Sequence, residues 1–230
     1  MIPKNSSLLP IKLVIVGDSA FAEVAYEYFT VDSNYEVVAF TVESAYLKRT
    51  ELFGIPVVAL EKIATLFPAF EHHFYVATVY TQLNRLRTRL FTQMKSLGYE
   101  AASYISSRAV VWRNVTFGEH CFVFENNVIQ PFCSIGNNVV LWSGNHIGHH
   151  SKIGDNTFIA SHAVISGFVD IGRNCFVGVN ATVGNNLLIC DDCVIGAGAL
   201  VTKDVPANHV LRGGSSEPVA GAKRLHRVKE

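Results

Sequence analysis

Apolar and polar positions alternate in two different rhythms along this chain, and the change comes near residue 105. From Ala109 the sequence divides into hexads with no insertion or deletion, from Ala109–Asn114 to Ala199–Asp204. The third residue of each hexad runs from Val111, Phe117 and Val123 through Ile153, Ile159 and Ile165 to Ile195 and Val201, and all sixteen are bulky and apolar. A period of six is neither the 3.6 of an amphipathic helix nor the 2 of a strand with one wet face. It predicts short strands separated by turns, each sending one large aliphatic side chain inward. The first residue of the hexad is often small (Cys121, Cys133, Ser151, Ala163, Cys175, Ala181, Cys193), which suits a second, smaller inward position. Asn, Asp and Gly crowd the turns, at Asn137–Asn138, Asp155–Asn156 and Asn185–Asn186, where left-handed backbone is easiest for those residues.

Residues 11–104 follow the other rhythm. Lys12–Val16 reads as a strand, then Gly17-Asp18-Ser19-Ala20, then a helix with Phe21, Val24, Ala25, Tyr28 and Phe29 on one side. A strand at Tyr35–Thr41, an apolar run at Ile55–Leu60, a helix near Glu61–Phe67 and a strand at Phe74–Thr78 follow. Thr81 is placed to cap an amphipathic helix carrying Leu83, Leu86, Leu90, Met94 and Leu97, ended by Gly98. A last strand, Ala101–Ile105, leads into the repeats. Strand and helix in alternation predict a small parallel α/β domain of the Rossmann-like kind. The expected divisions are 1–104 for this domain, 105–204 for the repeats and 205–230 for a tail.

Composition narrows the partners. Nineteen basic residues balance nineteen acidic ones, which leaves no electrostatic footprint for nucleic acid. No stretch approaches the roughly 18 apolar residues of a membrane span, and Ile11–Val16 is too short for a signal-peptide core. A cytoplasmic protein is expected. Of five cysteines, four fall in the small inward slot, so core packing accounts for them better than the C-x-x-C spacing of Cys190 and Cys193 does.

The hexads closely resemble those of the hexapeptide-repeat family, whose members fold as left-handed parallel β-helices with three hexads, roughly 18 residues, per coil. With the α/β domain in front, the chain resembles the bacterial sugar acyltransferases that act on nucleotide-linked amino sugars (PglD-like) and the related sialic-acid O-acetyltransferases (NeuD-like). That resemblance implies an acetyl-CoA-dependent enzyme, typically a homotrimer with acyl-CoA bound between neighbouring prisms. It implies no metal, and a nucleotide-linked sugar held by the front domain. Gly17, Asp18 and Ser19 stand where the family has a glycine-rich loop, with fewer glycines. Thr41 opens the segment that replaces the family's acidic pair, and Asn84 and Arg85 match an Asn and Arg after the fourth strand.

Acyl transfer from a thioester to an amine or hydroxyl needs a base for the nucleophile's proton and donors for the oxyanion. The densest polar run is Ser143–Gly154, with His162 beyond it, and histidine titrates near neutrality. The resemblance gives His149 the place of the base and His150 the place of a carboxylate that usually partners it. Coil arithmetic stacks His149 with Pro131, Gly167, Asn185 and Lys203 at one corner. Gly167 then stands where relatives offer a backbone N–H to the oxyanion. Gly196, Ala197 and Gly198 resemble the CoA groove, with Asn185 and Lys203 as further CoA contacts. Lys203, Arg212, Lys223 and Arg224 are candidate phosphate contacts, and Asn145, His146 and His162 candidate substrate contacts. The expected reaction is N-acylation of an amino sugar by direct attack, with His149 as general base. The alternative is O-acetylation of a sugar hydroxyl. A γ-carbonic-anhydrase-like metal site using His120, His146, His150 and His162 is a more distant one.

Overall fold

A computed structural model describes residues 9–215. The front domain is a six-stranded sheet built from β1 (Ile11–Val16), β2 (Tyr35–Val42), β3 (Glu51–Leu52), β4 (Ile55–Ala59), β5 (His72–Val76) and β6 (Glu100–Ala101), in the order β3-β4-β2-β1-β5-β6. Every pairing is parallel except β3 with β4. The expected parallel sheet therefore carries one antiparallel edge hairpin, closed by the tight turn at Phe53–Gly54. α1 (Ala20–Val31) follows β1, α2 (Ile63–Leu66) is a single turn, and α3 (Arg85–Ser96) precedes β6.

The third helix begins three residues later than the Thr81 cap predicts, with Asn84 at the cap position. Gln82, Leu83 and Asn84 take left-handed backbone, with φ of 54°, 51° and 65°, so Leu83 leaves the apolar stripe. A tertiary bond holds this turn: Asn84 Nδ2 donates to the Cys175 carbonyl at 3.1 Å. Apolar spacing alone could not reveal a contact to a residue 91 positions away.

From Tyr104 onward, two-residue strands stack into three parallel sheets that close a left-handed β-helix. Pairing joins residues 18 apart, as in Phe122 with Val140 and Ser134 with Lys152. The inward aliphatics and the small first-slot residues, Cys121, Cys133, Cys175 and Cys193 among them, form one continuous buried core. The sixth residue of each hexad from His120 to Gly198 has positive φ and turns a corner. Asn, Asp and Gly accept that backbone at little cost, whereas Phe132 and Phe168 do so against preference.

The repeat shortens at its end. Thr182 pairs with Leu200 at the 18-residue interval, but Val194 pairs with Val210 and Ile189 bridges Val205, both at 16. The helix thus continues beyond Asp204 to Val210–Leu211, and the turn holding Lys203 is abbreviated. Arithmetic that stacks Lys203 on Asn185 holds only as far as Val201.

The three outer faces of the prism differ sharply. One carries Tyr104, Phe122, Val140, Phe158 and Phe176 outward, and the front domain covers it. Phe21 and Phe29 of α1 and Tyr75 of β5 pack there, with Phe21 5.8 Å from Phe122 and 5.3 Å from Trp142 between ring centres. Each buried phenylalanine contributes roughly 1.5–3 kcal/mol, so the two parts share one core. A second face is more polar, with Thr116, Ser134, Lys152 and Asp170 outward. The third presents Val110, Val128, His146, Val164, Thr182 and Leu200. It is apolar but uncovered: Val110 is 55% and Leu200 69% exposed.

Candidate active site

His149 and His150 occupy the corner between the open apolar face and the polar face, and both are exposed. The corner is set by stacked coils: the His150 N–H donates to the Pro131 carbonyl at 3.1 Å, and the Phe168 N–H to the His149 carbonyl at 2.9 Å. The His149 N–H donates to Gln130 Oε1 at 2.9 Å. The two imidazoles meet Nδ1 to Nδ1 at 3.1 Å. His150 lies nearly parallel between Phe132 and Phe168, 4.7 Å from each ring centre. Gln130, Phe132 and Phe168 were not singled out by sequence. Phe132 and Phe168 stand exactly one 18-residue coil either side of His150, which is the signal that would have found them.

The imidazole of His149 rests directly on Gly167. A Cβ there would fall 2.9 Å from both Cε1 and Nε2, so glycine is what lets the ring approach the backbone. The Gly167 N–H, expected to face an oxyanion, donates here to Asn185 Oδ1 at 3.1 Å. The same bond recurs in other coils, from Asn137 to Asp155 and from Arg173 to Asp191, so Asn185 serves the turn ladder in this arrangement.

The remaining expected residues divide among other places. His162 lies on the next corner, beyond the open face, with its ring against Gly144, where a Cβ would come within 2.6 Å. Ala197 and Gly198 share that corner, with Gly196 beside them, because the Gly198 N–H donates to the Val179 carbonyl within the same ladder. His146 projects from the open face between Val128 and Val164. Asn145 is buried and spends its amide on the Trp142 carbonyl and the Ala163 N–H. One strand-width of about five residues, roughly 17 Å at strand rise, separates the His149 corner from the His162 corner. A single chain does not bring them together.

In the front domain, the Gly17 N–H donates to the Thr41 carbonyl, Asp18 pairs with Arg49 at 3.4 Å, and Ser19 is exposed just before α1 without a side-chain cap. Thr41 is fully buried and donates to the Val58 carbonyl at 3.0 Å. Asn84 is buried against Cys175, and Arg85 pairs with Asp192 at 2.7 Å. Thr41 and Asn84 therefore hold the fold here rather than present side chains to a ligand, because the sheet and the docked β-helix enclose them. An open cavity of about 530 Å³ lies elsewhere, between α1 and the first coil, and Glu27, Tyr28, Asp32, Arg108 and Glu125 line it.

His120 turns the third corner and is entirely buried under the front domain. The Val76 N–H donates to its Nε2 at 2.8 Å, which places the ring proton on Nδ1, bonded to Asn138 Oδ1 at 2.8 Å. Arg87, also fully buried, donates from Nε to the same oxygen and from Nη2 to the Asn138 carbonyl. Burial, aided by the Arg87 charge, pushes the His120 pKa down to about 3. The histidines of the metal-site alternative thus lie on three separate corners and one face. Among the described residues, no group of three or more His, Cys, Asp or Glu is placed to hold a metal ion. No helix among them is long and apolar enough to cross a membrane.

Residues 132–167 and 168–203 match the bacterial transferase hexapeptide (six repeats) family model. No curated protein matches the chain in sequence. Among solved structures, the chain is similar to PerB from Caulobacter crescentus, seen in complex with CoA and GDP-perosamine. The TM-score is 0.79 at 25% identity, over 88% of this chain and 94% of that one. The acetyltransferase domain of PglB from Neisseria gonorrhoeae, in complex with acetyl coenzyme A, gives 0.79 at 21% identity, over 91% and 100%. WeeI from Acinetobacter baumannii gives 0.68 at 22%, over 87% and 96%. The chain thus carries bacterial transferase hexapeptide repeats behind an α/β domain, a fold it shares over most of its length with PerB.

Proposed function

We propose that the protein transfers an acyl group, acetyl in the simplest case, from CoA to the amino group of a nucleotide-linked sugar, with His149 as general base. The observation that carries this is the exposed imidazole of His149, held on Gly167 at a corner of a hexapeptide β-helix. It is supported by a fold shared over most of the chain with a protein bound to CoA and GDP-perosamine. His149 Nε2 takes the proton of the attacking amine while nitrogen adds to the thioester carbonyl. The tetrahedral intermediate then collapses, expelling the CoA thiolate, which takes up a proton. For the Gly167 N–H to meet the oxyanion, Asn185 must first release it. O-acetylation of a sugar hydroxyl would use the same base, and the front domain is assigned to the nucleotide. A free-CoA release assay against nucleotide-linked amino sugars and their hydroxy counterparts tests the reading. Release with the amine alone supports it, release with the hydroxyl alone selects O-acetylation, and no release with any acceptor sinks both.

A homotrimer belongs to the same proposal. Val110, Trp112, Val128, Val164 and Leu200 leave the open face apolar and wet. The corners of His149 and of His162 with Gly198 form its two edges. Copies packed around a threefold axis along the prism would meet edge to opposite edge, a heterologous contact that closes into a ring. That arrangement sets His149 of one copy against the Gly196–Gly198 groove of the next. Sedimentation at one-subunit mass with full activity would count against it.

A further inference from the structure

A general base that works through Nε2 must keep its own proton on Nδ1, and something must hold it there. Among the described residues His149 Nδ1 has one partner, Nδ1 of His150 at 3.1 Å. Two arrangements are open to that bond. If His150 donates, His149 carries its proton on Nε2 and cannot accept another at that atom. If His149 donates, Nε2 presents a lone pair at the face of Gly167, and His150 carries its proton on Nε2. Only the second serves acyl transfer.

The surroundings of His150 hold its ring in one orientation. Phe132 and Phe168 stack on its two faces at interplanar angles of 28° and 15°, from the same left-handed slot one coil before and one coil after. Its backbone is tied to Pro131. The ring cannot turn without leaving the stack. His149 stands at 89° to both His150 and Phe168, so its Nδ1 edge is presented to the stack. Among the described residues, neither imidazole has a carboxylate within salt-bridge distance; the one paired histidine is His73, with Glu100.

We propose that His150, clamped between Phe132 and Phe168, is the positioning residue of this site: it accepts the Nδ1 proton of His149 and so fixes the tautomer that leaves Nε2 free. The inference rests on the reading of His149 as the base. It differs from a carboxylate–histidine pair in one physical respect, because a neutral acceptor orients the base without adding a charge that favours its protonated form.

The test uses the full chain labelled with ¹⁵N-histidine, at a pH where both rings are neutral. Nitrogen shifts should show His149 protonated on Nδ1 in the wild type. His150→Ala should lose that preference and lower kcat by about 10- to 100-fold, an order-of-magnitude figure for a misoriented catalytic group, with KM for acetyl-CoA unchanged. His150→Asn should rescue both readouts, since its Oδ1 takes the place of the ring Nδ1 and Asn already turns the corners at Asn138, Asn156 and Asn186. His150→Asp should move the acid limb of kcat/KM to higher pH. A wild-type His149 protonated on Nε2 overturns the proposal, as does a His150→Ala chain with wild-type tautomer and kcat. If no acceptor is acylated, the proposed function fails while the tautomer is still read.

Discussion

His120 and His150 occupy the same hexad slot, with the same left-handed backbone (φ 61° and 60°), on two corners of one prism. Their chemistry is opposite. At the covered corner, the front domain buries His120, lowers its pKa to about 3, and uses its lone pair to accept the Val76 N–H. At the uncovered corner, His150 stacks between two phenylalanines, and its neighbour His149 keeps an exposed edge. A slot in a repeat therefore specifies where a side chain leaves the coil, and what packs outside specifies what that side chain can do. Arg87 sharpens the point. Among the described residues it is buried without a carboxylate and its Nη1 has no partner, and its pKa falls to about 10 through lost solvation. Polar groups at that corner fasten two parts together and are unavailable for turnover.

The comparison breaks most visibly at His149. His149→Ala should lower kcat by about 10²–10⁴-fold, with the melting temperature little changed, because the ring contributes nothing to the aliphatic core. A normal turnover number in this variant would remove the base from that corner. The mirror experiment is His120→Ala, which loses an acceptor for a buried N–H and the stacking on Tyr75 at 4.6 Å. It should cost about 3 kcal/mol in denaturant unfolding. A chain of wild-type stability would show that the buried corner is not a lock.

The pH dependence separates the corners next. Folded His120 resists protonation down to about pH 3, whereas the unfolded chain takes up that proton below its ordinary value of about 6.5. The unfolded state then binds more protons, so this contribution is whole above pH 6.5 and is lost as pH falls toward 3. The loss is about 1.4 kcal/mol per pH unit within that window. The difference in stability between wild type and His120→Asn should narrow as pH falls from 7 to 4. A constant difference contradicts the assignment.

Two glycines give the smallest effects. Gly167→Ala pushes a methyl into the His149 ring and should lower kcat by about 10-fold, an order-of-magnitude figure for a displaced catalytic group. Gly144→Ala strains a backbone at φ 77° against the His162 ring and should cost about 1–2 kcal/mol of stability. Equal effects of both substitutions on kcat would mean that His162 works at the same step as His149.

The phase of the hexads was enough to determine which side chains point inward, where each corner falls, and that His149, Gly167 and Asn185 share one. Inward direction in a parallel coil depends only on position within the repeat, so a linear pattern encodes it. The regular period concealed the shortened last turn, because Ala199–Asp204 still reads as a complete hexad while the pairing has begun to slip. The left-handed turn at Gln82–Asn84 was hidden for a different reason, since Asn84 is held by a carbonyl 91 residues away. Large outward apolar residues at 18-residue spacing, Phe122, Val140, Phe158 and Phe176, were visible as letters, but only the docked front domain decided that this face would be covered. That choice is made by complementary surfaces meeting across the chain, and periodicity carries no information about which surfaces meet. It buried Asn84, Arg87 and His120, and it left the apolar face beside His149 open to a neighbour.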